Sequence, residues 1–498
     1  MDRLRPRLDI RPATEQLRHA GVWVLALVVA LAGALAPAQA QGVVADAGRP
    51  LAAVIDEYVR EGLNSNLGLR AQSLEVERSA AALDAARARY FPELGFAARY
   101  TWAEGGRTIE LPLGQALNPA YQTLNDLLVA QGQAPQFPVV QDETIAFLRE
   151  REQDTRITLR MPLLQPAIPA AVRAQRELLG ASEYAQMALA RQLKRDITVG
   201  YLHWLSAVRT QGIVDASVAL LNENLRVNDS LHRNGKITQD QVLRARAELL
   251  AVTQQSREAQ NLAAQSQSYL NFLLNRPLDT ALENADVAAE VSARTQALAD
   301  LRSAALANRP ELAELSHLTR ASEAQVSIAR ADRWPTLSLG ADGGIQGEEY
   351  EFGRGSNYAT VSLLFNWTFF DGGARRAAVR QASATARKTA TQLDELTQQV
   401  QLEVQQSLDR LNTSADSLAT ADARAEAARA AFRIASRKRD EGAISQVEFI
   451  DARSSLTGAE LNLNVTRFSV LARQAELDYA TAAGTLPLAG NQYPREPP

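Results

Sequence analysis

The sequence predicts a mainly α-helical chain that uses one helix–strand–strand–helix unit twice, with its strands forming a membrane-spanning β part. Three observations predict this. The chain repeats itself at constant offsets, it contains helical segments too long for a compact core, and four short stretches alternate apolar and polar residues.

The duplication is read from paired motifs. Leu163-Leu164-Gln165-Pro166 followed by Ala170-Ala171-Val172-Arg173 lines up, 207 positions on, with Phe370-Asp371-Gly372-Gly373 followed by Ala377-Ala378-Val379-Arg380. The same offset pairs Asn234-Gly235-Lys236 with Glu441-Gly442-Ala443, and an offset of 243 pairs Phe91-Pro92 with Trp334-Pro335. The difference of 36 positions implies an insertion of that length in the first copy. A period this long marks a duplicated domain rather than a solenoid unit.

Helices are expected near 50–89, 168–232, 238–275, 298–331, 374–438 and 445–484, all rich in Ala, Leu, Gln, Arg and Glu. The 65-residue segments 168–232 and 374–438 each reach about 97 Å at 1.5 Å per residue. Such rods imply an extended antiparallel coiled bundle.

Strands are expected near 91–103, 153–164, 334–346 and 358–370. In the first, Leu94, Phe96, Ala98, Tyr100 and Trp102 alternate with Gly95, Ala97, Arg99 and Thr101. Period-two patterning gives one apolar and one polar face. The apolar faces end in Phe91, Trp102, Trp334 and Trp367, as interfacial aromatic girdles do. A sheet in lipid must close, and single-chain barrels need about 8 strands or more, so four strands imply a barrel shared between copies. The repeats alone do not choose between two copies and three. With the apolar face toward lipid, Arg99, Arg156 and Arg160 line the lumen, opposed by Glu93 and Asp342.

Arg3, Arg5, Arg7, Arg11 and Arg18 precede an apolar run and Ala38-Gln39-Ala40, which reads as a secretory signal over 1–40. Removing it leaves 48 basic and 54 acidic residues (53 − 5 and 57 − 3), a balance that gives no footprint for nucleic acid. There is no cysteine, and the four histidines are isolated, so neither a metal site nor a cofactor is expected. No nucleophile elbow, phosphate loop or dinucleotide fingerprint appears, and the chain is not read as an enzyme. The domain reading is a signal (1–40), a first repeat (41–283, with insertion 104–153), a second repeat (284–486) and a short Pro-rich tail (487–498). Within the insertion, short helices are expected near 120–131 and 141–151, over the outer mouth as a partial lid.

The cleaved leader, the doubled unit, Asn308-Arg309-Pro310-Glu311-Leu312 and Phe370-Asp371-Gly372-Gly373 together resemble the TolC family of outer-membrane efflux channels across about 50–486. The resemblance implies a homotrimer with a shared 12-stranded β-barrel in outer-membrane lipid and an α-helical barrel across the periplasm. It implies a passive exit duct, without catalysis, for a tripartite efflux or type I secretion system. The partners implied are a periplasmic adaptor (membrane fusion) protein and an inner-membrane pump. The absence of cysteine places the chain with the non-lipidated members. The hairpin tips at Gly235, Lys236, Gly442 and Ala443 would contact the adaptor. Acidic residues six and nine places after the tip glycine ring the periplasmic aperture in that family, and Glu448 and Asp451 match. The first copy departs, with Gln241 and Arg244 there, which suggests an Arg244–Asp451 pair holding the tip shut. The competing reading is a periplasmic coiled-coil adaptor or tether with a small soluble sheet.

Overall fold

The computed structural model describes residues 49–287 and 297–486. The leader expected over 1–40 and the tail over 487–498 lie outside the described residues.

The two offsets recur in the backbone. Helix α1 (Leu51–Ser65) and α2 (Leu67–Ala88) precede strand β1 (Glu93–Trp102). The insertion follows as β2 (Thr108–Leu111), α3 (Leu113–Ala130) and β3 (Glu143–Ala146), and β4 (Arg151–Leu164) closes the first strand pair. Then come the rod α4 (Ala167–Arg233) and its return helix α5 (Gln239–Leu273). The second copy runs α6 (Leu298–Asn308), α7 (Pro310–Ala331), β5 (Thr336–Gly347), β6 (Asn357–Asn366), α8 (Ala374–Asp440) and α9 (Gln446–Ala480). Both rods have 67 residues, about 100 Å of helix, and both return helices have 35.

Two expected helices are each broken once. The helix read over 50–89 stops at Asn66, and that over 298–331 stops at Arg309, its counterpart at the offset of 243. Asn66 is extended and caps α2, its Oδ1 accepting from the Leu69 N–H at 3.1 Å. Arg309 is extended because Pro310 follows it, and Pro310 takes the first helical position, where its missing N–H costs nothing. Helical composition on both sides of each break hid it from periodicity.

Rod α4 is central. Its first half packs on α2 and α7, its second half on α5 and α9, and α9 packs on α8. The lower part is therefore a layer in the order α5–α4–α9–α8. The largest buried side chains meet where α1 and the segment after α5 join this layer: Val59, Ile197, Tyr201, Leu270 and Phe468 are at most 1% exposed. The matching core of the second copy is smaller, built on Leu301, Val400, Val404 and Leu477.

The main sheet is antiparallel in the order β1–β4–β5–β6, which leaves β1 and β6 as open edges. The fourth strand, expected to reach 370, ends at Asn366. The insertion is a small fold of its own. Asn118 and Asn125, two helical turns apart, each exchange paired hydrogen bonds with the backbone of Val140 and Phe137. Asp142 Oδ1 accepts from Gly114 N–H at 2.8 Å at the start of α3. The expected helix near 120–131 corresponds to α3, but the one near 141–151 is instead β3, paired with β2. Ile109 faces Ile145 across that hairpin, and this strand pairing satisfies the backbone without a helix.

Candidate functional site

The strand register collects the alternating residues into two distinct faces. Phe96 faces Ile157, Leu94 faces Leu159, and Leu339 faces Leu363. This apolar face is open: Phe96 is 72% and Val361 78% exposed. Phe91, Trp102, Trp334 and Trp367 at the strand ends are exposed as well. A continuous apolar patch of this kind demands an apolar environment or partner.

The other face carries Arg99, Arg156 and Arg160. Arg99 and Arg156 make no ion pair with Glu93 or Asp342, the acids expected from the sequence to oppose them, although the Asp342 charge does act on Arg156. Both approach Asp154, at 3.7 and 3.6 Å, and the Tyr358 hydroxyl donates to Asp154 Oδ1 at 3.3 Å. Asp154 lies directly opposite Arg99 in the β1–β4 register, which is the cross-strand pairing of unlike charges that sheets favour. Arg160 has Glu93 as its cross-strand neighbour, without an ion pair.

Below the sheet, Asp371 ties the turn into α8. Its carboxylate accepts from Gly373 N–H at 3.0 Å, from Arg375 N–H at 2.9 Å and from Arg375 Nε at 2.7 Å. The Arg375 backbone and guanidinium bonds hold its carboxyl down at about 2. Gly372 and Gly373 have φ of 65° and 92°, so glycine is needed there.

At the waist, Arg309 fastens three elements. It meets Glu311 and Glu403 at 3.0 Å each and donates to the Ala480 carbonyl at 3.2 Å, with its side chain 6% exposed. Tyr479 donates to Glu311 Oε1 at 3.1 Å, and burial, reinforced by the Glu311 charge, pushes its phenol up to about 12. Sequence reading singled out the Arg309-Pro310 motif without this network.

The tips close as expected from their glycines. Gly235 and Gly442 have φ of 68° and 71°, and Lys236 and Ala443 N–H groups reach back to Leu231 and Lys438 carbonyls at 2.9 and 2.7 Å. Of the aperture candidates, Glu448 has a local task. Ser445 Oγ accepts from Glu448 N–H while Glu448 Oε2 accepts from Ser445 N–H, a complete capping box. Asp451 and Arg244 are exposed and Gln241 is half-buried. No ion pair joins Arg244 to Asp451 within the chain among the described residues. The buried charge nearby is Arg453, 3% exposed, which sequence reading passed over.

Among the described residues no helix is long and apolar enough to cross a membrane. Residues 301–483 match the family model described as outer membrane efflux protein. The probable efflux pump outer membrane protein TtgC of Pseudomonas putida is 25% identical over 61% of this chain. The match spans 63% of TtgC's own length, less than two thirds. The proteases secretion protein PrtF of Dickeya chrysanthemi is 24% identical over 69% of this chain and 76% of its own. The Campylobacter jejuni CmeC outer membrane channel has the same fold, with a TM-score of 0.72 at 17% identity over 86% of this chain and 85% of that one. The outer-membrane channel OprN matches with a TM-score of 0.70 at 19% identity, over 87% and 91% of the two chains.

Proposed function

We propose, from the match of residues 301–483 to the outer membrane efflux protein family and the likeness to TtgC and PrtF, that this chain is the passive exit duct of a tripartite efflux or type I secretion system. The observation that carries this reading is a four-stranded sheet with two open edges and an exposed apolar face, joined to rods of about 100 Å. Edges cannot remain open in lipid, where every backbone group needs an internal partner. Three copies supply twelve strands, and the apolar face then meets lipid while Asp154, Arg99, Arg156 and Arg160 line the lumen. The helices of the three copies continue the tube into the periplasm. Gly235, Lys236, Gly442 and Ala443 are the tips offered to an adaptor, below which an inner-membrane pump would load cargo. Because Asp154 already compensates Arg99 and Arg156, the mouth is less cationic than its arginine count suggests. In this reading the insertion over 104–153 folds over the outer mouth as a partial lid.

The test is reconstitution of the purified oligomer in a planar bilayer. A duct requires detergent for extraction, runs as a heat-modifiable oligomer and conducts ions in discrete steps. Cutting the insertion to the length of the 348–356 loop should raise conductance with assembly unchanged. Release of the protein from membranes by salt alone, with no conducting species, overturns the reading. The aperture has a separate test. Glu448→Gln keeps the capping box, since glutamine also serves at that position, but removes the charge. Combined with Asp451→Asn it should open the closed tip. Conductance that stays at the wild-type closed level removes these two residues from the gate.

A further inference from the structure

Toward the tips, the chain buries a row of hydrogen-bond donors with nothing to accept from them. Arg453 Nε and Nη1 and Gln446 Nε2 on α9, with Asn224 Nδ2 and Asn228 Nδ2 on α4, have no acceptor among the described residues. Arg453 and Asn224 are 3% exposed and Asn228 is 5% exposed. All five atoms are donors, so they cannot pair with one another.

Three contacts fix their relative heights. Ser217 meets Thr457 at 3.0 Å, and Asn464 donates to Thr210 Oγ1 at 3.0 Å, so α4 and α9 keep one antiparallel register. Carried seven and eleven residues past Ser217 and Thr457, that register sets Asn224 level with Ile450 and Asn228 level with Gln446. Ser256 donates to Asp215, which sets Glu248 of α5 level with Glu223, one residue from Asn224. The Arg453 backbone stands level with Leu221, but helical side chains lean toward their own N-terminus, which for α9 is the tip. Its Nη2 accordingly reaches Glu248 Oε1 at 3.4 Å, so the guanidinium lies at the height of the Asn224 amide, where α4, α5 and α9 meet.

The charge there is uncompensated. Burial pulls the Arg453 guanidinium below its usual range, and the Glu248 charge offsets only part of this. Arg453 also lines a cavity of about 630 Å³ between α4 and α9, with Arg209, Arg429 and Arg467 and one carboxylate, Glu460. That carboxylate is taken by Arg429 at 3.0 Å. Buried donors without acceptors, above all on a charged group, are among the costliest arrangements in a fold. Water accepts such bonds, but it leaves the charge in place and needs acceptors for its own hydrogens. An anion accepts several donors at once and supplies the missing charge. At 3% exposure the guanidinium leaves an opening for a small ion only.

We infer that Arg453 and Asn224 form a binding site for a small inorganic anion of the chloride class, seated where α4, α5 and α9 meet. The ion accepts from the guanidinium and from the Asn224 amide and joins α4 to α9 close to the tips.

The experiment uses the purified full-length oligomer, melted in detergent at constant ionic strength with chloride replacing gluconate, and crystallised in bromide. A tenfold rise in chloride should raise the wild-type melting temperature by about 1–2 °C. Arg453→Met should remove the rise, and Arg246→Met, at the exposed counterpart in the first copy, should keep it. If Arg453→Met fails to assemble, Asn224→Leu, which retains the guanidinium, should reduce the rise. Anomalous diffraction should place bromide within hydrogen-bond reach of the Arg453 guanidinium. A wild-type melting temperature indifferent to chloride overturns the proposal, even with bromide in the crystal, because the ion would then be adventitious. A rise that survives in both Arg453→Met and Asn224→Leu overturns it as well. So does a crystal in which water alone, or a side chain of a neighbouring copy, meets the guanidinium.

Discussion

At the break between the two short helices of each copy, the same joint is held by different chemistry. In the first copy Asn66 donates to the Leu273 carbonyl at 2.9 Å, and in the second Arg309 donates to the Ala480 carbonyl at 3.2 Å. Leu273 and Ala480 each end a return helix and lie 207 positions apart, so the joint is the same place seen twice. What both copies keep is a donor aimed at the last carbonyls of that helix, which have no partner inside it. The charge of the donor varies freely. Once a guanidinium stands there, it needs carboxylates, and Glu311 and Glu403 supply them.

The contrast is broken most severely by truncating each donor in turn. Arg309→Ala removes a buried charge and strands Glu311, for about 3 kcal/mol, at the low end for buried pairs because Glu403 is partly exposed. Asn66→Ala removes a cap and one long-range hydrogen bond, for about 1 kcal/mol. Thermal unfolding in detergent, followed by helical circular dichroism, ranks the two. Equal losses would mean that the charged network at the second joint adds nothing to the shared geometry.

A second asymmetry runs the other way. Arg453 is buried with two unpaired donors, whereas its counterpart 207 positions earlier, Arg246, is exposed. Arg453→Met should therefore stabilise the isolated protein by about 1–2 kcal/mol, because the cost of burying the guanidinium exceeds what its one ion pair with the partly exposed Glu248 at 3.4 Å returns, while Arg246→Met should change little. A loss of stability in Arg453→Met would show that Glu248 and the surrounding helices already satisfy the guanidinium.

The sequence disclosed the rods, the tips and the alternation of the strands because each depends on local composition and period. The offsets of 207 and 243 were legible for the same reason, and they carry the starts of α2, β1, β4, α4 and α5 to those of α7, β5, β6, α8 and α9 within one residue. What escaped were interactions set by register and long-range packing. Asp154 meets Arg99 only because β1 and β4 pair as they do, and Arg309 meets Glu403 across 94 residues. The helix breaks left readable traces, an N-capping Asn at 66 and a Pro at 310, but good helix formers on both sides masked them. The hairpin in the insertion was missed because strands of four residues are too short for periodicity to reveal.

The tips sharpen the comparison further. Ser445 and Glu448 complete a capping box, whereas Thr238 makes no cap bond and its hydroxyl turns to Asp240 instead. Ser445→Ala should cost about 1 kcal/mol of local stability, read as faster amide exchange over the first turn of α9. Thr238→Ala should leave the first turn of α5 almost unchanged. Equal acceleration at both tips would mean that neither cap governs fraying there.

The smallest effect separates the two joints that lead from the sheet into the rods. The first copy enters α4 at Pro166 with no side-chain cap, and the second enters α8 under the Asp371 carboxylate. Only the second joint titrates. The Asp371 carboxyl lies at about 2 in the folded chain against an ordinary value of 3.8, so folding favours its charged form. Its contribution is complete above pH 3.8 and is lost as pH falls through about 2. Asp371→Asn keeps the shape but removes the charge, so at pH 6 it should melt below the wild type. Lowering the pH should narrow the gap as the wild-type carboxyl protonates, with about half of it gone near pH 2. The first joint offers the control, since no titratable side chain caps α4 there and Pro166→Ala should shift the melting point by the same amount across that range. A gap between Asp371→Asn and wild type that stays constant from pH 6 to pH 2 would assign the stabilisation to the hydrogen-bonding pattern alone, and the two joints would then differ in geometry rather than in charge.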